Sequence, residues 1–173
     1  MVVGKPFLTV DQIQRKVKEL ADRISEDYEG KELLAVGILK GAFVFFSDIV
    51  RLIRVPLVVD FLIASSYAKS ETSGEVKMHY DIREDITDND VLLVDDIVDT
   101  GVTLNFLRER ILMKSPRSLK ICTFLNKRER REVEIPLDYV GFEIPNEFVV
   151  GYGLDYDNKF RNLPYISIFK KTA

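Results

Sequence analysis

Val91-Leu92-Leu93-Val94-Asp95-Asp96-Ile97-Val98-Asp99-Thr100-Gly101-Val102-Thr103-Leu104 is the stretch on which the fold turns. Its unbroken apolar start fits a strand covered on both faces, as strands of a parallel sheet are. Gly101 permits a positive φ, so consecutive amides can point into one concavity, and the helix that follows adds free N–H groups and a positive dipole end. Thr100 and Thr103 contribute hydroxyls, and the whole makes a nest for a phosphate monoester. Asp95, Asp96 and Asp99 would repel such a ligand unless ribose hydroxyls donate to them or a magnesium ion with its waters intervenes. A phosphorylated sugar meets both conditions. A solvated acidic turn needs one or two such residues and leaves the threonines, the glycine and the helix start unexplained.

The same alternation of buried strand and helix extends to both sides. Thr9 and Gln12 form a capping box with Leu8 and Ile13 as a hydrophobic staple, and Ile13, Val17, Leu20, Ala21 and Ile24 mark a helical face that Gly30 ends. Residues 33–39 read as a second buried strand, 42–53 as a helix, 57–63 as a strand, and the polar, small residues 64–75 as a mobile loop. Leu104, Leu107 and Ile111 give the helix after Gly101, which stops before Pro116; residues 119–125 form a further strand. Short apolar runs at 139–144, 148–152 and 165–169, separated by Pro145, Gly153 and Pro164, read as strands. The expected fold class is α/β: a single Rossmann-like domain over residues 1–173, with a central, mostly parallel sheet flanked by helices and its ligand at the carboxyl ends of the strands.

Composition narrows the function. At 173 residues with 46% apolar and 31% charged residues, the chain is sized for one ordinary globular domain. A net charge of -3 gives no field for nucleic acid or an anionic membrane, and the one dense basic stretch, Lys127, Arg128, Arg130 and Arg131, is interrupted by Glu129 and Glu132 and reads as a solvated loop. No apolar run approaches a membrane span, and no leader pattern opens the chain, which points to the cytoplasm. Cys122 lies in an apolar run and reads as a core residue, and the lone His79 has no partner at metal-ligand spacing. The P-loop and dinucleotide patterns are missing, which disfavours nucleoside triphosphates and NAD.

The acidic strand, threonine-glycine turn and helix start closely resemble the signature of the type I phosphoribosyltransferases, which bind phosphoribosyl pyrophosphate through it. Further segments resemble the hypoxanthine-guanine branch of that family over nearly the whole chain. Leu39-Lys40-Gly41-Ala42 looks like its pyrophosphate loop, with a non-proline cis peptide, and Ser66-Tyr67 looks like the serine-tyrosine pair of its lid. The run from Phe148 to Tyr156, followed by Phe160-Arg161-Asn162-Leu163, is similar to its purine and second metal site.

The resemblance implies purine salvage with Mg2+ as cofactor, a hood built from terminal segments, and assembly as a homodimer or homotetramer. It assigns the 5-phosphate to the stretch from Asp99 through Thr100, Gly101 and Val102 to Thr103, and the ribose hydroxyls to Asp95 and Asp96. Pyrophosphate falls to Lys40, Gly41 and Arg161, the purine to Phe148, Val149 and Asp155, and metal to Asp155, Asp95 and Asp96, with Asp99 as general base. Two departures stand out. Asp95 occupies a position where many relatives have glutamate, and Pro136 stands three residues before Tyr139, where many have a purine-contacting lysine, so the preferred base stays open among hypoxanthine, guanine, xanthine and a pyrimidine. A regulator on this fold that senses phosphoribosyl pyrophosphate and binds RNA or DNA is the competing class, and it would need the basic face that this chain lacks.

Overall fold

The computed structural model describes residues 2–66 and 76–170. Helix α1 (Val10–Asp27) starts as its sequence dictates: the Thr9 hydroxyl accepts from the Gln12 amide at 3.3 Å, and the Gln12 side chain accepts from the Thr9 amide at 2.8 Å. Strand β2 (Leu33–Leu39) leads to helix α2 (Phe43–Val50), then β3 (Leu57–Ser66), β4 (Val76–Tyr80), β5 (Asp90–Val98), helix α3 (Val102–Leu112), β6 (Ser118–Asn126) and β7 (Tyr139–Glu143). A preceding strand, β1 (Val2–Leu8), and two late ones, β8 (Val149–Val150) and β9 (Ile166–Lys170), complete the elements.

The six-stranded sheet has the order β4-β3-β2-β5-β6-β7, parallel throughout except for the antiparallel edge strand β4. Alternation along β5 shows why its apolar run is continuous. Leu92 and Val94 pack with α1 and α2 on one face, while Val91 and Leu93 pack with Leu104, Leu107 and Ile111 of α3 on the other. Cys122 is a buried member of the first cluster, as its surroundings in sequence indicate.

Several elements depart from the sequence expectation, among them β4, which the sequence reading did not assign, and β8, which spans only Val149–Val150 of the strand expected over 148–152. β3 continues through Ala64, Ser65 and Ser66 because β4 pairs with it, so the polar stretch assigned to a loop begins as a hairpin arm. α2 is shorter at both ends than expected. β5 runs on past its apolar stretch to Val98, so Asp95 and Asp96 lie inside the strand, with Asp95 in register with Thr123 of β6. β1 was not expected at all; it pairs with β9, and with β8 these form a separate three-stranded sheet. That small sheet is the hood, drawn from both ends of the chain, and Leu8, Val149 and Ile166 join it to the core of the large sheet.

Candidate active site

The chain leaves β2 for β3 on one side and returns through β5 on the other, so β2 and β5 are neighbours whose connections run in opposite directions. Such a switch point opens a crevice beyond the carboxyl ends of the strands. Here it holds a cavity of about 510 Å³ whose walls include Lys40, Gly41, Asp95, Asp96, Asp99, Thr103, Lys127, Phe148, Val149, Asp155 and Arg161. Ten of the positions singled out from sequence therefore meet in one place, although they come from both halves of the chain.

The two strand ends are fitted to each other. A β-carbon at Gly41 would run into the Asp96 carboxylate, so glycine lets the segment after β2 lie against the end of β5 without displacing that side chain. The Leu39–Lys40 peptide is cis, as the resemblance implies. Asp95 accepts from the Asp96 amide and Asp96 from the Ile97 amide, each at 3.0 Å. Burial pushes both carboxyls above the ordinary carboxylate value, Asp95 the more strongly; the charge of Asp96 adds to the rise at Asp95, while Arg161 opposes it at Asp96.

Beyond β5 the chain turns through Asp99, Thr100 and Gly101 into α3. Gly101 has φ +86°, and a β-carbon there would strike the Val133 carbonyl. The Thr100 hydroxyl accepts from the Val102 amide at 3.4 Å, and the Thr100 carbonyl accepts from Glu132 and Val133 at 2.9 and 3.0 Å. Asp99 presents Oδ1, which is buried and has no aligned hydrogen bond, although Arg130 Nε stands 3.2 Å away. Arg131 Nε donates to the Asp99 carbonyl at 3.3 Å.

The opposite wall comes from the last third of the chain. Phe148 is 49% exposed, with its ring against Tyr156 and Phe169. Val149 faces Ile168 on β9, next to a pair in which Phe169 donates to the Phe148 carbonyl at 2.8 Å. Alternation makes Val149–Ile168 a non-hydrogen-bonded pair, so the Val149 amide and carbonyl point away from β9 along the free edge of β8. Arg161 pairs with Asp155 at 2.6 Å and donates to the Gly153 carbonyl at 2.7 Å.

Lys127 is the residue that sequence reasoning missed. Read as part of a solvated basic loop, it is in fact 6% exposed and lines the cavity, and burial holds its ammonium below the ordinary lysine value while Asp99 opposes the fall. Only Arg128 to Arg130 form the exposed turn that was expected. Pro136 is exposed and does not line the cavity, so its presence carries no information about the base. Of the proposed lid, Ser66 ends β3 by its backbone, and its side chain and Tyr67 lie outside the described residues. His79 stands exposed on β4, 2.7 Å from the Ser65 hydroxyl.

A doubly wound sheet with an acidic strand end, a glycine-led helix start and an aromatic wall around one crevice defines an α/β protein with its candidate ligand site at the switch point of the sheet. Comparison with known proteins gives the family. The phosphoribosyl transferase domain model matches residues 9–157, and the chain belongs to that family. It is 48% identical over 158 residues to the hypoxanthine phosphoribosyltransferase of Salmonella typhimurium, covering 90% of this chain and 89% of the relative. It is 45% identical over 167 residues to the hypoxanthine-guanine phosphoribosyltransferase of Mycobacterium bovis, covering 92% and 83%. A crystal structure of a hypoxanthine-guanine phosphoribosyltransferase from Bacillus anthracis superposes with a TM-score of 0.94 at 46% identity, covering 98% of this chain and 100% of that one.

Proposed function

We propose that this chain is a purine salvage enzyme that transfers the ribose 5-phosphate of phosphoribosyl pyrophosphate to hypoxanthine or guanine, forming IMP or GMP and pyrophosphate. The observation that carries this reading is the convergence of the acidic end of β5, the loop after β2, Phe148 and Arg161 on one cavity.

In this reading the amides and hydroxyls of Asp99 to Thr103 hold the 5-phosphate, and the ribose hydroxyls donate to Asp95 and Asp96. Phe148 stacks on the purine, and the free edge of Val149 hydrogen-bonds its rim. Lys127 donates to the exocyclic oxygen that hypoxanthine and guanine share. N9 attacks the anomeric carbon, the bond from that carbon to pyrophosphate breaks, and the purine proton passes to Asp99. Lys40, Gly41 and Arg161 meet the departing pyrophosphate, Arg161 with a planar fork suited to its oxygens. Among the described residues no three acidic, histidine or cysteine side chains converge as a closed metal cage. Asp155 and the Asp95–Asp96 pair nevertheless suit Mg2+, which is held by one or two carboxylates together with ligand oxygens and water. When bound, that ion would offset charge on the leaving group.

The family resemblance supports a homodimer or homotetramer. No helix among the described residues is long and apolar enough to cross a membrane.

The decisive experiment supplies purified protein with Mg2+, phosphoribosyl pyrophosphate and, in turn, hypoxanthine, guanine, xanthine, adenine and uracil. IMP is expected first and GMP second. A different nucleotide in their place would overturn the base assignment and leave the fold intact. Lys127→Met should raise KM for hypoxanthine about tenfold or more, as expected when one donor to a buried acceptor is removed, and change KM for phosphoribosyl pyrophosphate less than about twofold. An unchanged purine KM would remove Lys127 from base recognition.

A further inference from the structure

Gly151, Tyr152 and Gly153 all hold positive φ, at 99°, 51° and 100°. Glycine enters that region freely, whereas a bulky aromatic rarely stays there unless its surroundings over-determine it. The Tyr152 amide donates to the Leu163 carbonyl at 2.8 Å, which a glycine could do equally well. The position therefore uses the side chain. Its ring is buried at 5% exposure beside Phe124, with ring centres 5.2 Å apart, and its hydroxyl donates to Asp48 Oδ2 at 2.8 Å. Burial, with Asp48 adding to it, lifts the phenol far above its ordinary value, so it remains a donor at any working pH. The other Asp48 oxygen accepts from Arg51 at 2.7 Å, which fixes the carboxylate on α2.

We infer that Asp48 and Tyr152 are a positioning pair that aligns the two segments flanking the pyrophosphate side of the cavity. α2 begins directly after Lys40, Gly41 and Ala42, so Asp48 rides on the helix that carries the Gly41 loop. Tyr152 directly precedes Gly153, whose carbonyl accepts from Arg161 at 2.7 Å and whose amide donates to the Arg161 carbonyl at 3.0 Å. Gly153 also lies so close to the Gly41 carbonyl that a β-carbon would collide with it. Gly41 and Arg161 thus reach the cavity from separate parts of the chain, and the Asp48–Tyr152 bond ties their supports together. The purine side is anchored differently, since β8 is held by β9 without Asp48. The pair therefore governs binding of the sugar pyrophosphate and leaves purine binding largely alone.

The inference rests on the transfer reading given above. Its test compares wild type, Tyr152→Phe, Asp48→Ala, Asp48→Asn and the double variant Tyr152→Phe/Asp48→Ala by steady-state kinetics, with thermal melting to confirm folding. Tyr152→Phe and Asp48→Ala should each raise KM for phosphoribosyl pyrophosphate about tenfold while KM for hypoxanthine stays within about twofold, because misplaced binding groups cost affinity only for what they touch. Asp48→Asn keeps an acceptor oxygen and should restore most of the loss, and the double variant should be no worse than either single one. Parallel rises in both KM values, unchanged constants, or Asp48→Asn as damaging as Asp48→Ala would each overturn it. Should Tyr152→Phe melt early, the two substitutions at half-exposed Asp48 decide alone. Wild type that forms no nucleotide would sink the transfer reading and this inference with it; active wild type with indifferent variants sinks the inference only.

Discussion

Asp99→Asn is expected to lower kcat by about 10²- to 10⁴-fold, the usual range for a lost proton acceptor, while KM for phosphoribosyl pyrophosphate moves less than about threefold. The split follows from how Asp99 is held. Its backbone belongs to the phosphate turn, and its carbonyl is fixed by Arg131 at 3.3 Å, so an isosteric amide leaves the turn unchanged. Its Oδ1 is buried and lacks an aligned hydrogen bond, with Arg130 Nε 3.2 Å away, and the residue lines the cavity that Phe148 and Lys127 share. Arg130 offsets the charge of the carboxylate without an aligned hydrogen bond, which leaves Asp99 acceptor capacity for a ligand proton. Asparagine presents the same shape without the anionic lone pair, so substrates should bind and wait. Rates are to be read under saturating substrates, alongside a melting curve to show that the fold is unaltered. A turnover within twofold of wild type would remove Asp99 from the proton path.

The phosphate turn was legible in sequence because all its parts are neighbours in the chain: strand, carboxylates, glycine and helix start follow one another from Val91 to Leu104. The same locality made the Thr9–Gln12 capping box readable, since a cap closes over three residues. Lys127 was hidden for the opposite reason. In sequence it heads a basic run that looks solvated, and only the pairing of β6 with β5, together with the Lys127 amide donating to Val98 at 2.9 Å, turns it toward Asp99. β1 was hidden because Gly4, Lys5 and Pro6 break its pattern; its partner β9 lies at the far end of the chain, and the register shifts on both sides of Pro6. Tyr152 was read as part of a strand, but its left-handed backbone is set by contacts with Asp48 and Leu163 that no local pattern announces. What the sequence hides here is tertiary pairing, and what it shows is chemistry carried by consecutive residues.

Asp95→Asn should abolish most activity and yet make the ligand-free protein more heat-stable. The carboxyl of Asp95 is pushed well above its ordinary value, first by burial and then by the charge of Asp96 beside it. A raised native value means that the charged form opposes folding at neutral pH, and that the opposition fades as pH falls through the native value toward that of the unfolded chain. Neutralising the position removes the opposition, and asparagine can still accept from the Asp96 amide as Asp95 does at 3.0 Å. The gain should be about 0.5–2 kcal/mol, the usual return when a group kept for function is made compatible with its surroundings, or roughly 1–8 °C in Tm for a chain of this size. It should be largest near neutral pH and shrink on acidification. Activity should fall about 100-fold because one ribose hydroxyl loses its anionic acceptor and the anomeric carbon its alignment. Saturating IMP should then reverse the order of the two melting curves, since a ligand stabilises a protein in proportion to the logarithm of its occupancy ratio and wild type binds the ribose better. If the ligand-free variant melts below wild type at neutral pH, the paired carboxylates support the fold, and their placement at the end of β5 owes nothing to a sugar.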